Sequence, residues 1–111
     1  MVRNASFRPT ATTERHEALR RDVREFLHNE LPADHEPGLG MVSGHSPVFS
    51  RKLAARGLVG MAFPVAYGGH GRSVLDRFVV IEELLAAGAP VAAHWTADRQ
   101  SGPTILRFGT D

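Results

Sequence analysis

Apolar residues recur at helical spacing in three stretches of this chain, and Gly, Pro and Ser punctuate the ground between them. The first stretch runs from about Thr13 to Glu30. Leu19, Val23, Phe26 and Leu27 fall at i, i+4, i+7 and i+8, a narrow apolar stripe on a charged rod. Thr12 or Thr13 is placed to cap this helix, and Glu14 and Glu17 suit the positive end of its dipole. Leu31-Pro32 ends it, because the residue before a proline is pushed out of the α region. Glu17 with Arg21 and Arg21 with Glu25 are i,i+4 pairs, each contributing only about 0.2–0.5 kcal/mol, so the stripe needs a surface to pack on.

The second helix is bracketed by Ser46 as N-cap, Pro47 in the first turn and Gly57 where a left-handed cap belongs, with Phe49 and Leu53 facing inward. The third is the most apolar. Ser73 and Asp76 form a near-capping box, and Val74, Leu75, Phe78, Val79, Ile81, Leu84 and Leu85 cover more than one face. Such a helix is expected to be buried centrally and to dominate the core, at about 1.5–3 kcal/mol per buried side chain. Its apolar faces exceed what short partner helices can cover, so the chain alone is expected to pack loosely and to associate. Gly88-Ala89-Pro90 closes it and starts another helix with Val91, Ala92 and Trp95 inward. Gly102-Pro103 reads as an interruption, Thr104 to Phe108 as one more short helical piece capped by Gly109, and Thr110-Asp111 as the start of a further helix. A helix that starts without a body suggests a truncated chain. The pattern predicts an all-α fold, a small bundle of about five helices over residues 12–111, preceded by a flexible N-terminus over residues 1–11.

Between the second and third helices the chain turns through Tyr67-Gly68-Gly69-His70-Gly71. Glycine accepts positive φ and lets a backbone or ligand come close, so this loop, with Tyr67 at its lip, is a candidate wall of a binding site or else a plain connection. It lacks the preceding parallel strand that phosphate-cradling loops require.

Size and charge narrow the function. At 111 residues the chain is one domain at most. Its 13 Lys+Arg against 12 Asp+Glu leave no field that would capture nucleic acid, and no helix carries a basic recognition face. The absence of cysteine excludes disulfides and thiolate metal sites. No apolar run approaches a membrane span or a signal-peptide core, so a soluble, cytoplasmic protein is expected. His28, His35 and His45 invite a metal reading, but their spacing fits no ligand pattern, and no metal is expected. Glu82 and Glu83 point about 100° apart and cannot act as a facing catalytic pair; a salt-bridge role toward an arginine is the better expectation.

Gly57-Leu-Val-Gly, Phe63-Pro64, Tyr67-Gly68-Gly69-x-Gly71, Glu82-Glu83-Leu84 and Pro103-Thr-Ile-Leu-Arg-Phe-Gly-Thr110 together resemble the N-terminal helical domain of the acyl-CoA dehydrogenases, over roughly Leu19 to Asp111. The resemblance implies a parent enzyme that uses FAD to oxidise an acyl-CoA thioester, in fatty-acid or steroid side-chain oxidation. In that family the flavin lies between a β-domain and a C-terminal helical domain, and the catalytic glutamate belongs to the latter. The resemblance therefore assigns no catalytic residue here, leaves the cofactor-binding residues unknown, and implies that the chain alone neither retains FAD nor turns over substrate. It implies partners: the missing domains or a related subunit, in a homo- or hetero-oligomer. It places Ala92 to Gln100 in the acyl pocket, where Trp95, Thr96 and Arg99 stand in place of smaller or more apolar residues, which favours a bulky or polar acyl group. Tyr67 with Gly68, Gly69 and Gly71 is expected on the same wall. The alternative is a free-standing helical module that binds a partner, with Trp95 in the core and Arg99 paired with Asp98 or Glu83.

Overall fold

The structure is a computed structural model that describes residues 8–37 and 44–111; the expected flexible N-terminus and the middle of the connector before Ser46 lie partly outside them. Helix α1 spans Glu14–Glu30, α2 Pro47–Ala55, and α3 Val74–Ala86; a 3-10 turn covers Val65–Tyr67. Helices α4 (Ala92–Thr96) and α5 (Gly102–Phe108) are joined through a π-helical turn, Ala97–Ser101. No strand forms among the described residues; His45 and Val91 make a single antiparallel bridge.

The helix starts follow their local chemistry. The Thr13 hydroxyl accepts from the His16 amide, and His16 Nδ1 accepts from the Thr13 amide at 3.1 Å, so histidine takes the role usually held by glutamate. Ser46 accepts from the Phe49 amide, and Ser73 and Asp76 complete their reciprocal box. Gly57 and Gly88 adopt left-handed φ of 70° and 59° just beyond α2 and α3.

One expectation is corrected at Gly102-Pro103. Instead of breaking the chain, the pair lies within one continuous rod from Ala92 to Phe108, so the bundle has four rods rather than five separate helices. The Gly102 amide reaches back to the Ala97 carbonyl, an i→i−5 bond. That wider turn relieves the clash a proline ring makes with the carbonyl four residues earlier. Gly102 is small for a different reason: a Cβ there would stand 2.3 Å from Cζ of Phe63.

The core unites Leu19, Val23, Phe26 and Leu27 of α1, Phe49 and Leu53 of α2, and Val79, Val80 and Leu84 of α3, closed by Met61, Ala89 and Val91. The Phe26 and Phe49 rings meet at 5.6 Å, tilted by 59°. Helix α3 does not dominate this core as expected: it contributes three of the buried side chains against four from α1, and one of its faces stays exposed. Val74, Phe78 and Leu85 are 66%, 56% and 47% exposed. Asp76 and Glu83 lie on the opposite, buried side of the helix, among Val79, Val80 and Leu84.

Those carboxylates bind α1. Arg24 grips Glu83 through Nε and Nη2 at 2.7 and 3.0 Å, and Arg20 Nη1 donates to Glu83 at 2.5 Å and Glu82 at 2.7 Å. Asp76 receives Arg15 at 3.1 Å and lies 3.4 Å from Arg72 and from His16 Nε2. Because Arg15 meets Asp76 while Arg20 and Arg24 meet Glu83, α1 and α3 run parallel. The expected Glu17–Arg21 and Arg21–Glu25 pairs do not form; Glu17 instead lies 3.6 Å from Arg20, whose guanidinium turns inward to α3. The arginine role expected for Glu82 and Glu83 is the one observed.

The glycine loop is closed by its own backbone. Gly68, Gly69, Gly71 and Arg72 donate to the carbonyls of Val65, Pro64, Phe63 and Met61. A Cβ on Gly69 would sit 2.2 Å from the Phe63 carbonyl oxygen, whereas one on Gly68, at φ 80°, would meet nothing within 4 Å. We expect Gly69→Ala to cost about 1–3 kcal/mol by forcing this turn open, and Gly68→Asn at most about 1 kcal/mol, since asparagine tolerates left-handed backbone. Denaturant unfolding of both variants checks this; equal losses would contradict it.

Candidate functional site

The rod from Ala92 carries the residues singled out by sequence. Trp95 and Arg99, four apart, share a side, with the Arg99 guanidinium 5.0 Å over the indole ring. Both line a hollow between α3 and the rod, with Leu58, Met61, Arg77, Ile81, Leu84, His94 and Asp98. The enclosed space is about 10 Å³, room for one water. Thr96 is exposed and does not line this hollow.

Two contacts fix the rod against the rest. Asp98 is buried, and its Oδ1 accepts from the Gly60 amide at 2.6 Å, tying the π-turn to the segment after α2. His94 Nδ1 lies 2.7 Å from the Ser50 hydroxyl, tying the rod to α2. Asp98 therefore does not pair with Arg99, and Glu83 is spent on Arg20 and Arg24, so neither salt bridge expected for Arg99 forms. Sequence reading missed His94 and Arg77 and gave Asp98 a different partner, Arg99. Asp98 and His94 act across long separations, which periodicity does not register. Arg77 looked like an ordinary polar position on an apolar helix.

Tyr67 is placed elsewhere. It lines a second, open hollow of about 290 Å³ with Phe63, Gly102, Ile105, Leu106 and Gly109, and its hydroxyl donates to Asp111. The structure therefore brings Trp95 to Arg99 but not Tyr67 to either. Phe63 belongs to the Tyr67 hollow, its ring lying against Gly102. The glycine loop does not fit a flavin phosphate: the amides that would cradle it already serve Val65, Pro64 and Phe63. His35 Nε2 donates to the Gly88 carbonyl at 3.0 Å, while His28 and His45 are exposed. Among the described residues, no group of three His, Cys, Asp or Glu side chains could hold a metal ion. No helix is long and apolar enough to cross a membrane.

Burial pushes the His94 imidazole below its ordinary range, against the opposing charge of Asp98. For Asp76, burial pushes upward, but Arg15, Ser73 and Arg72 outweigh it and hold the carboxyl low. Glu83 is held low first by its bond to Arg24 and then by Arg20, against burial. The hydrogen bond to Asp111 raises Tyr67.

The profile of the acyl-CoA dehydrogenase N-terminal domain matches residues 13–111. Acyl-CoA dehydrogenase FadE26 of Mycobacterium tuberculosis is 31% identical over 105 residues, covering 89% of this chain and 26% of that protein. Acyl-CoA dehydrogenase IpdE1 of Mycolicibacterium smegmatis is 33% identical over 100 residues, covering 83% and 26%. Among solved structures, a variant of the Tcur3481-Tcur3483 steroid ACAD superposes with a TM-score of 0.68 at 28% identity, over 87% of this chain and 26% of that one. The chain thus spans about a quarter of the length of these relatives.

The directions of these shifts fix the acid response. His94 is favoured neutral in the fold, so the unfolded chain binds the proton first, and stability begins to fall as pH drops through about 6.5. Asp76 and Glu83 are lowered in the fold. Their stabilisation is complete above the ordinary carboxylate range of about 4 and is lost as pH falls through their folded values. We expect thermal midpoints that are level from pH 8 to 7, decline gently below about 6.5, and drop steeply below about 4. His94→Gln should remove the first decline and spare the second; a midpoint unchanged between pH 7 and 5 in the unaltered chain would contradict the assignment.

Proposed function

The chain belongs to the acyl-CoA dehydrogenase family, as its N-terminal domain, and from that premise we propose that it forms part of a flavin-dependent enzyme that oxidises an acyl-CoA thioester between its α- and β-carbons. In this reading the chain supplies a wall of the acyl pocket and a packing face for further domains or a related subunit. It supplies neither the base nor the flavin phosphate site. FAD would be held by parts of the protein outside these residues, consistent with a glycine loop whose amides are already satisfied.

The observation that supports the pocket role is the Trp95–Arg99 pair, half-buried on one side of the rod and held in place by Asp98 and His94. A large aromatic ring capped by a guanidinium shortens a site and makes it polar. That fits a bulky or oxygen-bearing acyl group better than a plain fatty-acyl chain, in keeping with the steroid ACAD among the similar structures. Thr96, exposed on the same rod, and Tyr67 with Gly68, Gly69 and Gly71 would border the site only once further domains cover them. A cytoplasmic, oligomeric enzyme completes the reading. The alternative, a free-standing partner-binding module, draws support from the exposed Val74, Phe78, Leu85 and Phe108.

The test is to express the gene together with its downstream reading frame, beside residues 1–111 alone. The longer protein is expected to purify with flavin and oxidise acyl-CoA thioesters, and the short chain to do neither. Within the longer protein, Arg99→Leu should shift kcat/KM toward simple aliphatic thioesters, and Trp95→Ala should admit longer ones, with melting curves largely retained. A yellow, active 111-residue chain would overturn the division of labour. Unchanged selectivity with a large stability loss would make both residues structural.

A further inference from the structure

We propose that the mouth of the hollow between α3 and the Ala92–Phe108 rod binds a carboxylate at the end of the acyl group remote from the thioester, with Arg77 and Arg99 as the specificity-determining residues. This rests on the acyl-pocket reading of Trp95 and Arg99 and narrows it to a substrate class: acyl-CoA thioesters with an anionic distal end.

All twelve Asp and Glu residues of the chain lie among the described residues, and none comes within ion-pairing distance of Arg77 or Arg99. By contrast, Arg15, Arg20, Arg24, Arg72 and Lys52 all have carboxylate partners. Other unpaired arginines, such as Arg21 and Arg51, are exposed, where water solvates them. Arg77 and Arg99 are half-buried, come from different elements, and line one hollow. Two partly desolvated cations lining one hollow are costly without an anion beside them. The acid in the same wall does not fill that role. Asp98 is held by the Gly60 amide and compensates one charge at most, which leaves one positive charge unanswered.

The shape fits a carboxylate on a carbon body. A guanidinium offers parallel N–H donors that match two carboxylate oxygens, and Trp95 and Ile81 give the carbon an apolar floor. The enclosed space of about 10 Å³ is too small for the whole group, so the carboxylate sits at the mouth. There Arg99, now stacked on the ring, can turn toward it.

Trp95 is the chain's only tryptophan, so its emission reports on this site directly. The 111-residue chain is titrated with cyclohexanecarboxylate and, separately, with its neutral carboxamide at constant ionic strength. We expect a saturable emission change with the carboxylate alone. Arg77→Gln should weaken it at least tenfold and Arg77→Lys less, with far-UV circular dichroism unchanged in both. If Arg77→Gln loses helicity, the comparison of Arg77→Lys with the unaltered chain decides, and equal affinity there overturns the proposal. An equal response to the carboxamide, or none to the carboxylate, overturns it as well. The readout needs neither flavin nor turnover. Failed binding beside an active longer protein would sink only the anion site, while intact binding beside an inactive one would sink only the enzyme reading.

Discussion

Two carboxylates on the inner side of α3, Asp76 and Glu83, dictate how this domain is put together. Charge cannot be buried there without partners, and the partners are on α1: Arg15 for Asp76, Arg20 and Arg24 for Glu83. Satisfying both ends at once sets the two helices parallel and fixes their rotation. That rotation points Leu19, Val23, Phe26 and Leu27 at Val79, Val80 and Leu84. The hydrophobic contacts supply most of the stabilisation; the charge clasp selects one register among those the apolar stripes would accept.

Everything nearer the candidate site is built on that pair. A parallel arrangement requires the chain to cross back from the end of α1 to the start of α3, and α2 and the glycine loop make that crossing. The loop returns tightly because Gly69 lets its backbone lie against Phe63, and Phe63 in turn reaches under Gly102. The rod that follows α3 is then held by Asp98 on the Gly60 amide and His94 on Ser50. Trp95 and Arg99 thus stand on a rod held at two points, as the proposed role in an acyl wall would require.

The sequence was most informative where a local rule has one physical cause. The caps at Thr13, Ser46 and Ser73, the end of α1 before Pro32 and the left-handed Gly57 are all where residue chemistry puts them, and the four-residue spacing of Trp95 and Arg99 did bring them together. It misled where one residue type serves two ends. Gly102-Pro103 has the signature of a breaker, yet the glycine makes room for a ring and the proline is absorbed by a π-turn. The apolar count of α3 suggested that this helix dominates the core, but α1 supplies more of it; Val74, Phe78 and Leu85 stay exposed, as the excess of apolar faces implied. Contacts such as Asp98 to Gly60 and Arg77 to the hollow depend on how distant elements meet, which no single window of sequence contains.

The measurement that tests this account most directly is a double-mutant cycle across the clasp. Arg20→Met, Glu83→Gln and the double variant would be compared with the unaltered chain by denaturant unfolding at pH 7. The account predicts a coupling energy of about 1–3 kcal/mol, with each single variant losing more than its share because it strands the other group. A coupling near zero, with additive losses, would contradict the claim that these charges set the packing of α1 on α3.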